Sequence, residues 1–163
     1  MTPIVSIVGR SKSGKTTLIE RLIPELARRG YRVATIKHTP EDFEIDRKDK
    51  DSRRHKQAGA QTVLVASPQK VALIESVSHD LSPEELAERF IRGADIIVAE
   101  GFKQGGHPKV EVYRRSTEGP LAAELENLIA VVTDEPFQLE CPRFSFDDIT
   151  GVANVIEDRV MHP

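Results

Sequence analysis

Tryptophan is absent from the 163-residue chain, tyrosine occurs twice, and aromatic residues make up only 5%. Surfaces that stack the bases of single-stranded nucleic acid need such rings, so their scarcity argues against that class. The net charge of -3 also lacks the basic surplus of a nucleic-acid partner. A single cysteine, Cys141, excludes an internal disulfide and a multi-cysteine metal site, and beside Pro142 it reads as a passive residue. No apolar stretch approaches the ~20 residues of a membrane helix, Ile96 to Ala99 being among the longest. The opening MTPIVSIVG has no charged region ahead of its apolar run, so a cytoplasmic protein is expected. Neither repeats nor low-complexity segments are found. At 18.2 kDa, residues 1–163 are expected to form a single domain around one core.

What is present is an alternation of strand and helix patterns. PIVSIVG (3–9) is a short β-branched run of the buried parallel-strand type. Leu18, Ile19, Leu22, Ile23 and Leu26 then recur at helical spacing, and Arg28, Arg29 and Gly30 supply a cationic last turn and a stop. Pro24 removes a donor within that helix and predicts a kink. RVATIK (32–37) reads as a second strand. TVLVAS (62–67) and KVALIES (70–76), split by Pro68-Gln69, read as an antiparallel pair. Ser82, Pro83 and Glu85 form a capping box that opens a helix whose expected inner face is Leu86, Phe90 and Ile91, ending at Gly93. ADIIVAEG (94–101), KVEVYR (109–114) and LIAVVTD (128–134) read as further strands, with a short helix at 120–126 and a closing helix from about Asp147 to Arg159. The expected class is α/β, its sheet mostly parallel with added antiparallel strands, and the glycine-bounded GRSKSGKT loop (9–16) between the first strand and the first helix makes it a P-loop NTPase-like three-layer α/β/α fold.

The octapeptide GRSKSGKT, Gly9 to Thr16, lies between the first strand and the first helix. Glycines at both ends of the loop let successive backbone N–H groups face one anion, Lys15 adds a charge toward the terminal phosphates, and Thr16 offers a hydroxyl to Mg²⁺. The helix beginning there turns its positive end to the same anion. Ser11 stands where a dinucleotide fingerprint needs its second glycine, which excludes that class. The remainder of the site is expected at the carboxyl ends of neighbouring parallel strands. Glu100 closes DIIVAE, from where it can reach the same Mg²⁺. Lys37-His38 closes the second strand, and His38 suits packing at least as well as catalysis. Asp134 closes VVTD and can accept from the N1–H and N2–H₂ of guanine, which adenine lacks. The Asn-Lys-x-Asp signature of many GTP-binding proteins is absent, so the residues leave the base open.

A long polar connection, His38 to Gln61, contains the charged run RKDKDSRRHKQAGA (47–60). It suits a solvated charge run. It also suits a switch over the triphosphate, with Asp46, Asp49 and Asp51 beside Lys50, Arg53, Arg54 and His55, and with Asp51 positioning water or holding the metal shell. A small-molecule kinase is the competing class, with Arg53 and Arg54 as lid residues.

Together GRSKSGKT, IKHTPEDFEID, KDSRRHKQAGA, VAEGFK and HPKVEV resemble the MobB family of molybdopterin-guanine dinucleotide biosynthesis adapter proteins. The resemblance runs from the first strand to at least Val112. It implies a homodimeric GTP-binding protein with weak hydrolysis that assists a molybdopterin guanylyltransferase, the enzyme that joins GMP to molybdopterin. Carried over, Gly9, Arg10, Ser11, Lys12, Ser13, Gly14, Lys15, Thr16 and Thr17 bind the phosphates of GTP, Thr16 and Glu100 serve Mg²⁺, and Asp51 and Ser52 belong to the signature loop. The apolar strands at 62–67 and 70–76 suit burial of an edge against a second copy. Lys48 and Asp49 stand where the family usually has Pro-Gly, so a glycine that permits positive φ is missing there.

Overall fold

The computed structural model describes residues 1–40, 43, 51–115, 127–136 and 140–162. The helix expected at 120–126, the acidic positions Asp46 and Asp49, Lys50, and the Lys48-Asp49 departure lie outside these residues. The chain divides into two compact units, Met1–His38 with Ser82–Pro163, and Thr39–Leu81.

The larger unit is built on six strands: β1 (Ile4–Val8), β2 (Val33–Lys37), β5 (Ile96–Glu100), β6 (Lys109–Val112), β7 (Leu128–Val132) and β8 (Arg143–Phe144). Their order is β2-β5-β1-β6-β7-β8, and every pairing is parallel. All six carboxyl ends therefore lie along one rim. β1 is wholly buried in the middle of the sheet, which explains why its sequence, Ser6 apart, is apolar on both faces rather than alternating.

One face of the sheet packs on α1 (Lys15–Arg28) and α4 (Ile149–Ile156). Leu18, Leu22 and Leu26 of α1 meet Val152, Ala153 and Ile156 of α4 over Val5, Ile7, Val98, Val110 and Val132. Pro24 sits inside α1 without ending it. The helix stops at Gly30, which takes φ +97° while Tyr31 N–H bonds to Leu26 O at 3.1 Å. Arg29 fastens the two helices: it donates to Glu25 at 2.8 Å, to Asn154 at 2.8 Å and to Glu157. The closing helix is split, because α4 continues as a π-helical turn over Glu157–Met161.

The opposite face is covered over β2, β5 and β1 by α3 (Pro83–Phe90), through Ala87 against Ile4, Ile36, Ile97 and Ala99. Its capping box forms as expected, with Glu85 N–H on Ser82 Oγ at 3.2 Å and Ser82 N–H on Glu85 at 2.8 Å. The expected inner face needs one correction. Leu86 and Ile91 pack on the core, but Phe90 stays 39% exposed with the Arg89 guanidinium 5.1 Å from its ring. Phe90 is the last helical residue, and extended backbone begins at Ile91.

The smaller unit contains α2 (Asp51–Gln57) and a two-stranded antiparallel sheet of β3 (Thr62–Ala66) and β4 (Val71–Glu75). The antiparallel strands thus form their own sheet, closed by a bond from Ser67 N–H to Lys70 O at 2.8 Å. Leu64 faces Leu73 across it, both exposed. Part of the charged run is therefore helical, and α2 buries none of its residues. No helix among the described residues is long and apolar enough to cross a membrane.

Candidate functional site

The loop between β1 and α1 has the backbone a phosphate cradle needs. Gly9 takes φ +142° and Gly14, capping α1, takes φ +106°. A side chain at Gly9 would collide with Val112 O and approach Ser13 Oγ to 2.8 Å, so only hydrogen fits there. Lys12 adopts φ +63°, one of two non-glycine residues with positive φ among those described; the other is Phe102. Both lie just past strand ends on the same rim, and such strained residues cluster where ligands are held. Arg10, Ser11 and Lys12 are exposed, Ser13 is fully buried, and Thr16 and Thr17 are exposed on the first turn of α1.

Lys15 folds back over this loop, donating to Arg10 O at 2.8 Å and Gly9 O at 3.2 Å. Burial pushes its ammonium below the ordinary lysine value; Glu100 pulls it back up, and Lys103 and Lys37 push it down again. A bound anion would act in the same direction as Glu100 and favour the charged form.

Parallel pairing places Ile7 and Lys37 in register with Glu100, which brings the end of β5 beside the cradle. The Thr16 hydroxyl donates toward Glu100, 3.2 Å from each carboxylate oxygen, and Lys37 Nζ lies 3.5 Å away. Among the described residues no three His, Cys, Asp or Glu side chains gather into a metal cluster. Mg²⁺ ordinarily takes one or two protein oxygens and completes its shell with phosphate and water. The adjacent hydroxyl and carboxylate of Thr16 and Glu100 are such a donor set.

The other expected residues fall as follows. His38 sends its backbone N–H to Glu100 O at 3.0 Å and sets its ring 4.9 Å from Phe102, a packed arrangement. Asp134 is exposed just beyond β7, on a loop anchored by Thr133 N–H to Phe144 O at 2.9 Å and Glu135 N–H to Thr133 Oγ1 at 3.1 Å. β7 is two strands from β1, so Asp134 lies on the order of 10 Å along the rim from the cradle, from the usual strand spacing. Asp51 begins α2 in the smaller unit, exposed and 3.7 Å from Arg54 Nη1, with Ser52 next to it. Cys141 is a free, half-buried thiol whose pKa burial raises.

Sequence reasoning missed Arg114. It follows β6 on the same rim, donates from Nε to Ser13 O at 3.2 Å, and lays its guanidinium 3.7 Å above the centre of the Phe146 ring. The only available signal was its position just after a strand that would pair beside the cradle.

A parallel sheet whose middle strand runs through a glycine-bounded loop into a helix defines a P-loop NTPase-like α/β protein. Comparison with known proteins narrows the class. The MobB family model, molybdopterin guanine dinucleotide synthesis protein B, matches residues 4–134. The molybdopterin-guanine dinucleotide biosynthesis adapter protein of Haemophilus influenzae is 37% identical over 98% of this chain and 90% of its own length. That of Escherichia coli is 35% identical over 96% and 92%. A crystal structure of molybdopterin-guanine biosynthesis protein B superposes with a TM-score of 0.72 at 34% identity, covering 95% of this chain and 97% of that one. Bacillus subtilis MobB gives 0.76 at 25% identity over 99% of both chains. The chain belongs to the MobB family.

Proposed function

We propose that this protein is a GTP-binding adapter with weak GTPase activity, assisting a molybdopterin guanylyltransferase that attaches GMP to molybdopterin. The observation that carries the reading is the meeting of the Thr16 hydroxyl and both Glu100 oxygens at 3.2 Å beside the Lys15 cradle. Gly9 to Thr17 hold the phosphates, Thr16 and Glu100 serve Mg²⁺, and Lys15 neutralises charge on the terminal phosphates. Asp134 supplies the acceptor for guanine. Asp51 and Ser52 belong to the loop that nucleotide state controls, and Asp51 orients water or the metal shell. The adapter role is supported by the names of the two relatives, each matched over nearly its whole length. The protein works in the cytoplasm, as one functional nucleotide-binding domain per chain. It is a homodimer, supported by the apolar exposure of the hairpin, where Leu64 is 60% and Val71 67% exposed.

Calorimetric titration with GTP and with ATP in Mg²⁺, together with basal hydrolysis, tests this. Preference for GTP, slow turnover, and loss of most affinity in Lys15→Ala with an unchanged melting temperature are expected. Preference for ATP, or fast turnover with a small acceptor, would refute the adapter reading.

A further inference from the structure

We infer that Arg114 is a positioning residue for the phosphate loop: its guanidinium, seated on Phe146, holds the loop through the Ser13 carbonyl. The inference rests on the nucleotide reading above and deepens it.

Three observations meet at this point. Ser13 is the fully buried member of the cradle, and its carbonyl accepts from Arg114 Nε. Phe146 fixes the plane of that guanidinium from below, and its ring edge lies 3.4 Å from where a Cβ would stand on Gly14, the cap of α1. Phe146 is itself held from α1, because Arg21 Nη1 donates to Phe146 O at 2.6 Å and to Asp147 Oδ1 at 3.0 Å. The chain thus closes a ring of contacts: α1 to the 146–147 turn, that turn to Arg114, and Arg114 to the loop from which α1 springs.

A carbonyl turned toward Arg114 directs the Ser13–Gly14 peptide so that its N–H faces away from the guanidinium, since the two ends of a planar trans peptide point in opposite directions. Gly14, at φ +106°, permits that peptide orientation at the cap. Arg114 therefore acts on phosphate through the loop backbone. A lysine in its place keeps the charge but has neither the planar fork nor a flat face to lie on Phe146.

Wild type, R114A and R114K are titrated with Mg-GTP, Mg-GDP and Mg-pyrophosphate, well below their melting temperatures. Both variants are expected to weaken all three ligands by a similar factor, on the order of tenfold, with an unchanged GTP-to-GDP ratio and no rescue by lysine. Selective loss of GTP with recovery in R114K would mean direct contact with the terminal phosphate and overturn the inference. A lowered melting temperature with unchanged affinities would also overturn it. Should R114A not fold, F146L, which keeps the guanidinium but removes its flat support, is expected to weaken the three ligands together, and unchanged affinities there would refute the proposal. If wild type fails to prefer GTP, or Lys15→Ala binds as wild type does, the adapter reading fails. Pyrophosphate still reports on Arg114, because it needs no base.

Discussion

Replacing Gly9 by alanine should cost far more than replacing Gly30 by alanine, although both glycines have positive φ. At Gly30, φ is +97° and nothing lies within 4 Å of an added Cβ, so the penalty is confined to backbone strain of about 1–2 kcal/mol. Restricting the unfolded chain offsets roughly 0.4–1 kcal/mol of that. At Gly9, φ is +142° and the added carbon overlaps the Val112 carbonyl oxygen and crowds Ser13 Oγ at 2.8 Å. Val112 is a ladder residue of β6 buried beside β1, so its carbonyl cannot withdraw without disturbing the sheet. Overpacking of this kind adds about 1–3 kcal/mol, giving a total of about 1–4.5 kcal/mol for G9A against at most about 1.6 kcal/mol for G30A. At roughly 2–4 °C per kcal/mol for a domain of this size, G9A should melt about 2–18 °C below wild type and G30A within about 6 °C of it, with G9A the lower of the two. Differential scanning calorimetry reads both. Equal losses in the two variants would refute the argument that contact with β6, rather than φ alone, makes the first glycine of the cradle obligatory.

Two further perturbations test the site and its frame. Glu100→Gln should abolish the strengthening of GTP binding by Mg²⁺, a loss on the order of tenfold or more, while affinity in EDTA falls little; an intact magnesium effect would remove Glu100 from the metal site. Asp95 takes three bonds from Arg32, its backbone N–H at 2.7 Å, Nε at 2.9 Å and Nη2 at 2.8 Å, and this holds its carboxyl down at about 2. A carboxylate depressed in the folded state stabilises above its unfolded value and loses that contribution as pH falls toward the folded one. The difference in melting temperature between wild type and Asp95→Asn should therefore be largest above roughly pH 4 and shrink toward pH 2. A difference constant across that range would show that the pair does not act through charge.

The cradle was legible because its glycines, lysine and threonine are separated by fixed spacing and flanked by a strand and a helix that each declare their own period. Glu100 was legible as the acid ending the most apolar strand. What joins them was not. That β5 and β6 flank β1 follows from packing between segments roughly a hundred residues apart, and no local pattern records it. Arg114 reads locally as one of two surface arginines after KVEV, and its role emerges only when β6 lands beside β1. β8 is two residues long, too short for any periodicity to show. Phe90 misled because an eight-residue helix has few turns over which to average its apolar face.

The position of β1 also bears on how the chain is made. Its parallel partners are Ile97 to Glu100 on one side and Lys109 to Glu111 on the other. The candidate cradle thus leaves the ribosome before its walls, which follow only after roughly ninety to a hundred more residues, some 5–20 s of synthesis at ordinary rates. Until then β1 is an apolar segment without a sheet. A nascent chain truncated before Lys109 would carry every residue of GRSKSGKT and still lack the β6 wall of the cradle, so nucleotide binding should emerge only once β6 has been made.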